Sequence, residues 1–178
     1  MCGLCTLLSA DRNAAEHLEA LEQSLQCMRH RGPDAAGTWH DEDAAFGFNR
    51  LSIIDLEHSD QPLRWGPEDN PERYALTFNG EIYNYVELRE ELSAAGYSFN
   101  TEGDGEPIVV GYHHWGKDVV EHLRGMFGFV IWDTETRTMF AGRDQFGIKP
   151  LYYATTDKGT VFALSLIHIS EPTRLRRI

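Results

Sequence analysis

The chain has 178 residues, of which 42% are hydrophobic, and a formal net charge of -12 at pH 7. This length is enough for one domain with a sizeable core and argues against a second complete domain. The acidic balance argues against nucleic acid or an anionic membrane surface as a partner, because both favour a basic protein face. Small-molecule chemistry is therefore the expected class of function.

The expected location follows from what the sequence does not contain. No apolar run reaches the roughly 18 residues of a membrane span, and no charged-then-apolar leader precedes Cys2. We therefore expect a cytoplasmic protein with no membrane partner. Its three cysteines are too few for a disulfide framework in a chain of this length.

The amino terminus, with sequence MCGLCTLL, contains the first candidate for chemistry. The apolar run from Gly3 to Leu8 predicts a buried strand that would hold the terminus inside the fold. If Met1 is removed, Cys2 presents a sulfur nucleophile together with a free α-amine, whose ordinary pKa is about 7.7 to 8. Such a residue contains both nucleophile and base, so it needs no partner histidine.

A structural zinc site is the alternative interpretation of the cysteines. Two residues separate Cys2 from Cys5, and two separate Cys27 from His30, a spacing that four zinc ligands can adopt. Against zinc, Cys5 lies in an apolar run and Cys27 lies on a predicted helix with an apolar stripe. Buried thiols that behave as small hydrophobic groups would explain both positions, so we expect no metal site.

A helix is predicted next, starting at Asp11 or Asn13 and running to about Met28. Its apolar residues recur at spacings of four and three, which predicts one buried face. The face consists of Ala14, Leu18, Leu21, Leu25 and Met28. The basic segment RHRGPD at 29–34 follows, either as a helix end and turn or as a cluster that orients a strand or a carboxylate.

Two strands, at 38–40 and 44–49, are predicted to meet at the acidic turn 41–43. Arg50 ends the second strand. Its guanidinium is either a surface cation or a bidentate clamp for a substrate carboxylate. The segment 57–73 is rich in Pro, Gly, Asp and Glu and is predicted to be a loop without chemistry of its own.

The β-rich run 74–78 ends in Asn79, Gly80 and Glu81. The Asn-Gly pair predicts either a tight turn or two donors, an amide and a backbone N–H, that converge on an oxyanion. A helix should then start at Asn84, with a capping box at Glu87, and end near Gly96.

Another helix is predicted to start at 104–107 and to end at Gly116, with Asp104 as its cap. His113 and His114 on this helix are expected to serve packing and the surface rather than a metal, because no Glu or Cys partner stands at ligand spacing.

The last part of the chain predicts an antiparallel meander of strands at 126–132, 139–142, 150–153 and 160–163. The loop 143–149 is predicted to be salt-bridged and to have no independent chemistry. Helices grouped between runs of strands indicate an α+β fold rather than a parallel α/β fold.

Four motifs occur in the order of one protein family: MCG at 1–3, MRHRGPD at 28–34, FNGEIYN at 78–84 and GRDQFGIKPLY at 142–152. Together they resemble the glutaminase domain of class II glutamine amidotransferases, the amino-terminal-nucleophile (Ntn) hydrolases, and specifically that of bacterial glutamine-dependent asparagine synthetases. The resemblance covers about residues 1–163. Related glutaminase domains with other ammonia acceptors share the Cys-Gly start and an Asn-Gly pair, but they do not usually combine RGPD with GEIYN.

The resemblance implies a four-layer αββα sandwich of two antiparallel sheets between helices. It also implies that Cys2 attacks the side-chain amide of L-glutamine and that Asn79 and Gly80 donate to the oxyanion. The α-amine of Cys2 would accept the thiol proton and pass it to departing ammonia. The resulting γ-glutamyl thioester would be hydrolysed by water, without a cofactor.

Substrate recognition is implied by the same resemblance. Arg50 would bind the α-carboxylate of glutamine, and Glu81 and Asp104 would bind its α-ammonium group, so that opposite charges meet. The full set of implied substrate-binding residues is Arg50, Leu51, Ser52, Ile53, Ile54, Asn79, Gly80, Glu81 and Asp104.

The sequence departs from complete members of this family in two ways. We predict a glutaminase domain at 2–163 but no ATP-dependent synthetase domain, which in complete enzymes follows it, uses ATP and magnesium, and amidates aspartate to asparagine. The segment 164–178 has a basic end and lacks the Ser-Glu-x-Lys continuation of the family, which predicts a non-native tail. L-glutamine and a C-terminal synthetase domain are thus the expected partners, with a homodimer as a further possibility.

Overall fold

The computed structural model describes residues 2–52, 55 and 60–165. The strands are β1 (Gly3–Ser9), β2 (Ala35–His40), β3 (Ala44–Arg50), β4 (Leu63–Trp65), β5 (Tyr74–Ile82), β6 (Gly125–Asp133), β7 (Thr138–Arg143), β8 (Tyr152–Thr156) and β9 (Gly159–Ala163). The helices are α1 (Leu18–Cys27), α2 (Tyr85–Ala94), α3 (Glu106–Trp115) and α4 (Val119–His122), with 3-10 turns at Ala14–His17 and Gly116–Asp118. None of the helices in the described ranges has both the length and the apolar character needed to cross a bilayer.

These strands form two antiparallel sheets. Sheet I has the order β2-β3-β1-β9-β8, and sheet II has the order β4-β5-β6-β7. The strand that starts at Gly3 therefore lies at the centre of sheet I, with β3 on one side and β9 on the other. This position explains why β1 is an almost continuous apolar run, since both of its faces are covered.

The space between the two sheets is filled by large apolar side chains. Leu4, Phe46 and Phe48 of sheet I face Val130 and Trp132 of sheet II, and all five are buried. Each strand contributes alternate residues to this layer, as the two-residue period of a strand requires.

The outer faces of both sheets are covered by helices. Leu21 and Leu25 of α1 pack on the outer face of sheet I. Leu92 of α2, Ile108 of α3 and Val119 of α4 belong to the core on the outer face of sheet II. The molecule is therefore an α+β fold with helix, sheet, sheet and helix layers, which confirms the predicted architecture.

Two strand predictions were wrong. The segment 57–73 was predicted to be a loop, but Leu63–Trp65 forms the short edge strand β4 beside β5. The predicted meander is two hairpins, because β6 and β7 belong to sheet II whereas β8 and β9 belong to sheet I. Strand spacing indicates hairpins but does not say which sheet each hairpin joins.

The predicted helix starts are close to the observed ones, but their caps are different. The side chain of Asn84 does not cap α2; its Nδ2 donates to the carbonyl of His122, and its Oδ1 accepts from the N–H of Arg124. Asp104 does not cap α3; its Oδ2 accepts from the N–H of Ile82. Both polar side chains bond to the backbone of other elements rather than to their own helix.

Candidate active site

A cavity of about 270 Å³ opens where the amino-terminal end of β1 meets the carboxyl-terminal part of β5. It brings together residues that lie far apart in the sequence. Its lining consists of Cys2, Arg50, Leu51, Gln61, Leu63, Leu76, Phe78, Asn79, Gly80, Glu81, Asp104, Gly105, Met126 and Lys149. Seven of the predicted site residues are in this lining: Cys2, Arg50, Leu51, Asn79, Gly80, Glu81 and Asp104.

Cys2 precedes β1 and is held on two sides. Its Sγ lies 3.7 Å from the carbonyl oxygen of Leu51 and accepts a hydrogen bond of 3.4 Å from the Leu51 N–H. Its own carbonyl oxygen accepts a hydrogen bond of 3.0 Å from Nε of Arg31. The basic segment RHRGPD thus fixes the backbone of the predicted nucleophile, which agrees with the alternative that it orients a strand.

The geometry of strand β5 explains why the N–H of Gly80 points into the cavity. Alternate residues of a strand direct their N–H and C=O groups to the same side. The N–H of Phe78 and that of Ile82 bond to Gln61 and Asp104, on the side away from β6. Gly80 has the same parity, so its N–H points to this side as well.

The opposite strand supports this orientation. Gly80 is the register partner of Phe127 in β6, but the N–H and C=O of Phe127 bond to the side chain and backbone of Asp144 instead. β4 reaches only as far as Leu76. The N–H of Gly80 therefore faces the cavity at a part of β5 that none of the described strands covers on this side, here called the open edge (77–82).

Gly80 also has to be a glycine at this position. A Cβ on Gly80 would lie 2.1 Å from the carbonyl oxygen of Met126, far inside van der Waals contact. The strand register continues through this pair without a bulge. The Asn-Gly pair is thus inside a strand, and the tight-turn interpretation is wrong.

The amide of Asn79 provides a second unpaired donor. The residue is 2% exposed, and its Nδ2 has no hydrogen-bond partner among the described residues. A buried amide without a partner costs about 1–3 kcal/mol. Buried donors of this kind are uncommon in folded proteins and call for an explanation, such as a ligand.

Arg50, at the end of β3, is 6% exposed and points into the same cavity. Its Nη1 pairs with the carboxylate of Asp60 at 2.9 Å, and its Nη2 donates to the carbonyl of Asp55 at 2.5 Å. The carboxylate of Asp60 is mostly exposed, whereas the guanidinium is buried. A buried guanidinium needs an anion, and this pair meets that need from within the chain.

The same cavity is also lined by two carboxylic acids, Glu81 and Asp104. Asp104 is almost fully buried, and burial raises the pKa of its carboxyl group, with a further increase from the charge of Glu81 and an opposing effect of the Ile82 N–H. Two carboxyl groups this close favour a bound cation. The cavity thus offers positive and negative groups at separate places.

The remaining predicted residues have different positions. Ser52 does not line the cavity; its N–H donates to Oδ2 of Asp34 at 2.8 Å. Ile53 and Ile54, and residues 166–178 of the segment that was predicted to be a non-native tail, lie outside the described residues.

The cysteines are not arranged as a metal site. Cys5 is buried, and burial raises the pKa of its thiol to about 12, which disfavours the thiolate that zinc requires. Cys27 is exposed rather than part of the apolar stripe, so that detail of the prediction was wrong. In the part of the chain that the structure describes, no three His, Cys, Asp or Glu residues are grouped to hold a metal ion.

Two polar cavity residues were missed by reasoning from the sequence. Gln61 was assigned to a loop without chemistry, and Lys149 to a salt-bridged loop. Lys149 is buried, and its loop is held by Asp144, which accepts from the N–H groups of Ile148 and Lys149, rather than by an ion pair. Lys149 stands in the motif at 142–152, which was a signal, whereas Gln61 stands in none of the four motifs.

Comparisons with known proteins agree with the architecture. Residues 1–175 match the family described as glutamine amidotransferase domain. The chain is 56% identical over 174 residues to a putative glutamine-hydrolysing asparagine synthetase of Mycobacterium tuberculosis, covering 92% of this chain and 27% of that protein. It is 48% identical over 165 residues to glutamine-hydrolysing asparagine synthetase 1 of Bacillus subtilis, covering 92% and 26%.

Solved structures show the same fold at lower identity. The glutamine phosphoribosylpyrophosphate amidotransferase of Bacillus subtilis superposes with a TM-score of 0.73 at 19% identity, over 96% of this chain and 43% of that one. An allosteric regulatory enzyme of purine biosynthesis superposes with a TM-score of 0.78 at 20% identity, over 95% and 43%. This chain spans about a quarter of the length of the curated relatives described above.

Proposed function

The chain belongs to the glutamine amidotransferase domain family, and from that premise we propose that it hydrolyses L-glutamine to glutamate and ammonia through the thiol of Cys2. The observation that carries the proposal is the cavity itself. A cysteine at the start of the central strand shares it with the Asn79 amide, which has no partner among the described residues, and with the backbone of Gly80.

The proposed reaction uses one residue as nucleophile and base. After removal of Met1, the α-amine of Cys2 accepts the thiol proton, and the sulfur attacks the side-chain carbonyl carbon of glutamine. The carbonyl oxygen becomes an oxyanion that accepts hydrogen bonds from Nδ2 of Asn79 and from the N–H of Gly80. The protonated amine then gives its proton to the departing ammonia, and water hydrolyses the thioester. No cofactor is needed for these steps.

Recognition of the substrate would use the charges on the two sides of the cavity. The α-carboxylate of glutamine replaces Asp60 on the guanidinium of Arg50, and the α-ammonium group lies against Asp104 and Glu81. Leu51 already contacts Cys2, and Ser52, Ile53 and Ile54 are kept in the proposed substrate-binding set as what the family resemblance implies. A substrate that lacked the α-ammonium group would leave the buried carboxylate of Asp104 without a counter-ion, whereas one that lacked the α-carboxylate would not displace Asp60 from Arg50.

In a longer protein, the released ammonia would serve a synthetase reaction. The asparagine synthetases that this chain resembles are about four times as long. We propose that residues 2–163 are the glutaminase domain of such an enzyme. A C-terminal domain that uses ATP and magnesium would then amidate aspartate to asparagine in the cytoplasm, and a homodimer is part of the same proposal. A different ammonia acceptor is the alternative.

The decisive experiment is mass spectrometry of the purified chain after treatment with 6-diazo-5-oxo-norleucine, a glutamine-like electrophile. We expect one adduct, on a Cys2 whose amine is unblocked, and release of glutamate from glutamine by the untreated chain. Cys2→Ser should give neither, whereas Cys27→Ser, a change at an exposed cysteine outside the cavity, should give both.

Two results would overturn the proposal. One is full activity in material that still begins with Met1, since the α-amine would then be acylated. The other is stoichiometric zinc with retained activity in Cys2→Ser, which would support a zinc-bound module instead. Sequencing the genomic locus tests the tail separately: an intact gene that encodes residues 164–178 unchanged would contradict a foreign origin.

A further inference from the structure

Gln61 makes an unusual pair of hydrogen bonds to the backbone of β5. Its Oε1 accepts from the N–H of Phe78 at 2.6 Å, and its Nε2 donates to the carbonyl oxygen of Phe78 at 3.1 Å. A neighbouring strand would make the same two bonds with its peptide group. The carboxamide of Gln61 therefore replaces a strand at this position.

The strand register shows what this replacement achieves. Leu63 pairs with Leu76, so an extended β4 would place the main chain of Gln61 opposite Phe78. The main chain turns away instead: its carbonyl oxygen lies 2.2 Å from where a Cβ on Gly37 of β2 would be, so it packs on the backbone of sheet I. The side chain of Gln61 alone continues the pairing along β5.

Two side chains thus hold the open edge on either side of Gly80. Gln61 binds the peptide groups of Phe78, and Asp104 binds the N–H of Ile82. Between them, the N–H of Gly80 keeps its direction toward the cavity. An edge strand without partners can twist and shift, and a displacement of about 1 Å in a reactive site can cost as much as 100-fold in rate.

We propose that Gln61 is a positioning residue for the oxyanion donors. Its carboxamide holds the backbone at Phe78 so that the Gly80 N–H and the Asn79 amide meet the oxyanion of the tetrahedral intermediate. This proposal rests on the glutaminase function proposed above. It assigns a role in the transition state to a residue that lines the cavity without being a donor to the substrate.

The role predicts a specific kinetic pattern. Gln61→Met has nearly the same volume and removes both hydrogen bonds. We expect kcat for glutamine hydrolysis to fall about tenfold or more while KM changes less than about twofold, because Arg50, Glu81 and Asp104 still bind the substrate. A residue that only stabilised the fold would lower the fraction of active protein, so kcat is calculated per active site titrated with 6-diazo-5-oxo-norleucine and should then be unchanged for such a residue.

A second measurement compares two inhibitors, one that forms a tetrahedral adduct with Cys2 and one that binds without reacting. Glutamate γ-semialdehyde would add the Cys2 sulfur to its aldehyde carbon and form a thiohemiacetal whose oxygen occupies the oxyanion position. Gln61→Met should weaken inhibition by this aldehyde about tenfold and leave inhibition by the product glutamate unchanged. Equal weakening of both inhibitors would contradict the positioning role.

Gln61→Glu tests the two hydrogen bonds to Phe78 through the pH dependence of kcat. A neutral carboxylic acid can make both hydrogen bonds with Phe78, whereas a carboxylate can accept but not donate. The kcat of Gln61→Glu relative to the parent chain should therefore rise as the pH is lowered from 8 toward 5.5. A ratio that does not change with pH would count against the proposal, and this variant also decides the matter if Gln61→Met does not fold.

Gln23→Met is the matched control, because Gln23 is an exposed residue of α1 whose amide donates to Glu19 on the same helix. It should behave as the parent does in every assay. If the parent chain itself releases no glutamate, the proposed function fails. If the parent is active and Gln61→Met is equally active, only the positioning role fails.

Discussion

The two ends of β5 differ in whether their polar groups have hydrogen-bond partners. At Tyr74 and its neighbours, polar groups are paired with each other and with aromatic side chains. At Asn79 and Gly80, the side chains of Gln61 and Asp104 hold the edge in place of a longer β4, and Nδ2 of Asn79 has no partner among the described residues. One end stabilises the fold, and the other is the place where we propose that a ligand binds.

The paired end is centred on Asp133, which is buried at the end of β6. Nε and Nη2 of Arg73 bind its two carboxylate oxygens at 2.9 and 2.7 Å, and Nη1 of Arg73 binds the exposed Glu135 at 3.0 Å. Burial alone would raise the pKa of Asp133, but hydrogen bonds from Arg73, Thr136 and Glu135 lower it. The carboxylate is therefore retained as an ion.

Aromatic rings surround the same end. Tyr74 stacks on Trp65, and its hydroxyl is 3.0 Å from Nδ1 of His113. Burial raises the pKa of Tyr74 to about 12, so the phenol stays neutral beside this carboxylate. His113 and His114 serve packing, as the sequence predicted, since each contacts a tyrosine hydroxyl.

The difference between the ends indicates where the molecule gives up stability for function. Satisfied polar groups contribute to the free energy of unfolding, whereas an unpaired buried amide lowers it. Active sites commonly keep such groups at the expense of stability. Variants at the two ends should therefore have opposite effects on stability and activity.

The largest expected effect is at the site end. Asn79→Ala removes one of the two oxyanion donors, and we expect kcat for glutamine hydrolysis to fall about 100- to 1,000-fold. Because the lost amide has no partner among the described residues, the free energy of unfolding should stay the same or rise. Steady-state kinetics and urea denaturation measure the two quantities. A large loss of stability would contradict the comparison.

At the paired end, Arg73→Met leaves the buried carboxylate of Asp133 without its cation. We expect the free energy of unfolding to fall by about 3 kcal/mol, while kcat of the folded protein is unchanged. Glu135→Gln is the control, since it removes only the exposed partner of Arg73 and should cost less than about 1 kcal/mol. Similar losses for the two variants would show that burial of Asp133 is not the cause.

Lowering the pH should affect substrate binding at Asp104 before it affects the stability contributed by Asp133. The pKa of Asp104 is raised by burial, so as the pH falls toward that pKa the group loses its charge and KM for glutamine should rise several-fold. The pKa of Asp133 is lowered, so its stabilising contribution persists above the unfolded pKa of about 3.9 and is lost only as the pH falls through the folded value. KM and the thermal midpoint measured at the same pH values test this order, and Asp104→Asn should remove the rise in KM.

The smallest effect is expected at Asp60, the internal partner of Arg50. If its carboxylate competes with that of glutamine, Asp60→Asn should lower KM about two- to fivefold, as expected for a mostly exposed ion pair, with kcat unchanged. A higher KM would mean that Asp60 orients Arg50 instead. Asp118→Asn, at a surface position outside the cavity, is a suitable control for the loss of one negative charge.

The sequence predicted the features that depend on residues close together in the chain, and it missed those that depend on distant contacts. The helix α1, the strands of sheet I and the α+β class follow from local periodicity and were predicted from it, whereas the four-layer arrangement was expected from the family resemblance. The cavity residues Cys2 and Asn79 were predicted because they stand in recognisable motifs, and Asp104, which stands in none of the four, was carried over from the same resemblance. Their roles remain proposals, although the structure brings them to one cavity.

The missed features depend on contacts that no local pattern encodes. β4 has three residues, too few for an alternating pattern, and Gln61 acts through a strand that begins 13 residues later. The choice of sheet for β8 and β9 depends on the packing of the link at 144–151. Asn84 and Asp104 bond to distant backbone rather than to their own helices, so their cap-like spacing was misleading.

The central place of β1 has a consequence for the order of folding. β1 pairs with β9 up to Ser9 and Gly159, so one of its two neighbours is made about 150 residues later. At about 5 to 20 residues per second, synthesis of that stretch takes roughly 8 to 30 s. During this interval sheet I lacks two of its five strands. We therefore expect the removal of Met1 that the proposed function requires to precede the docking of the late hairpin.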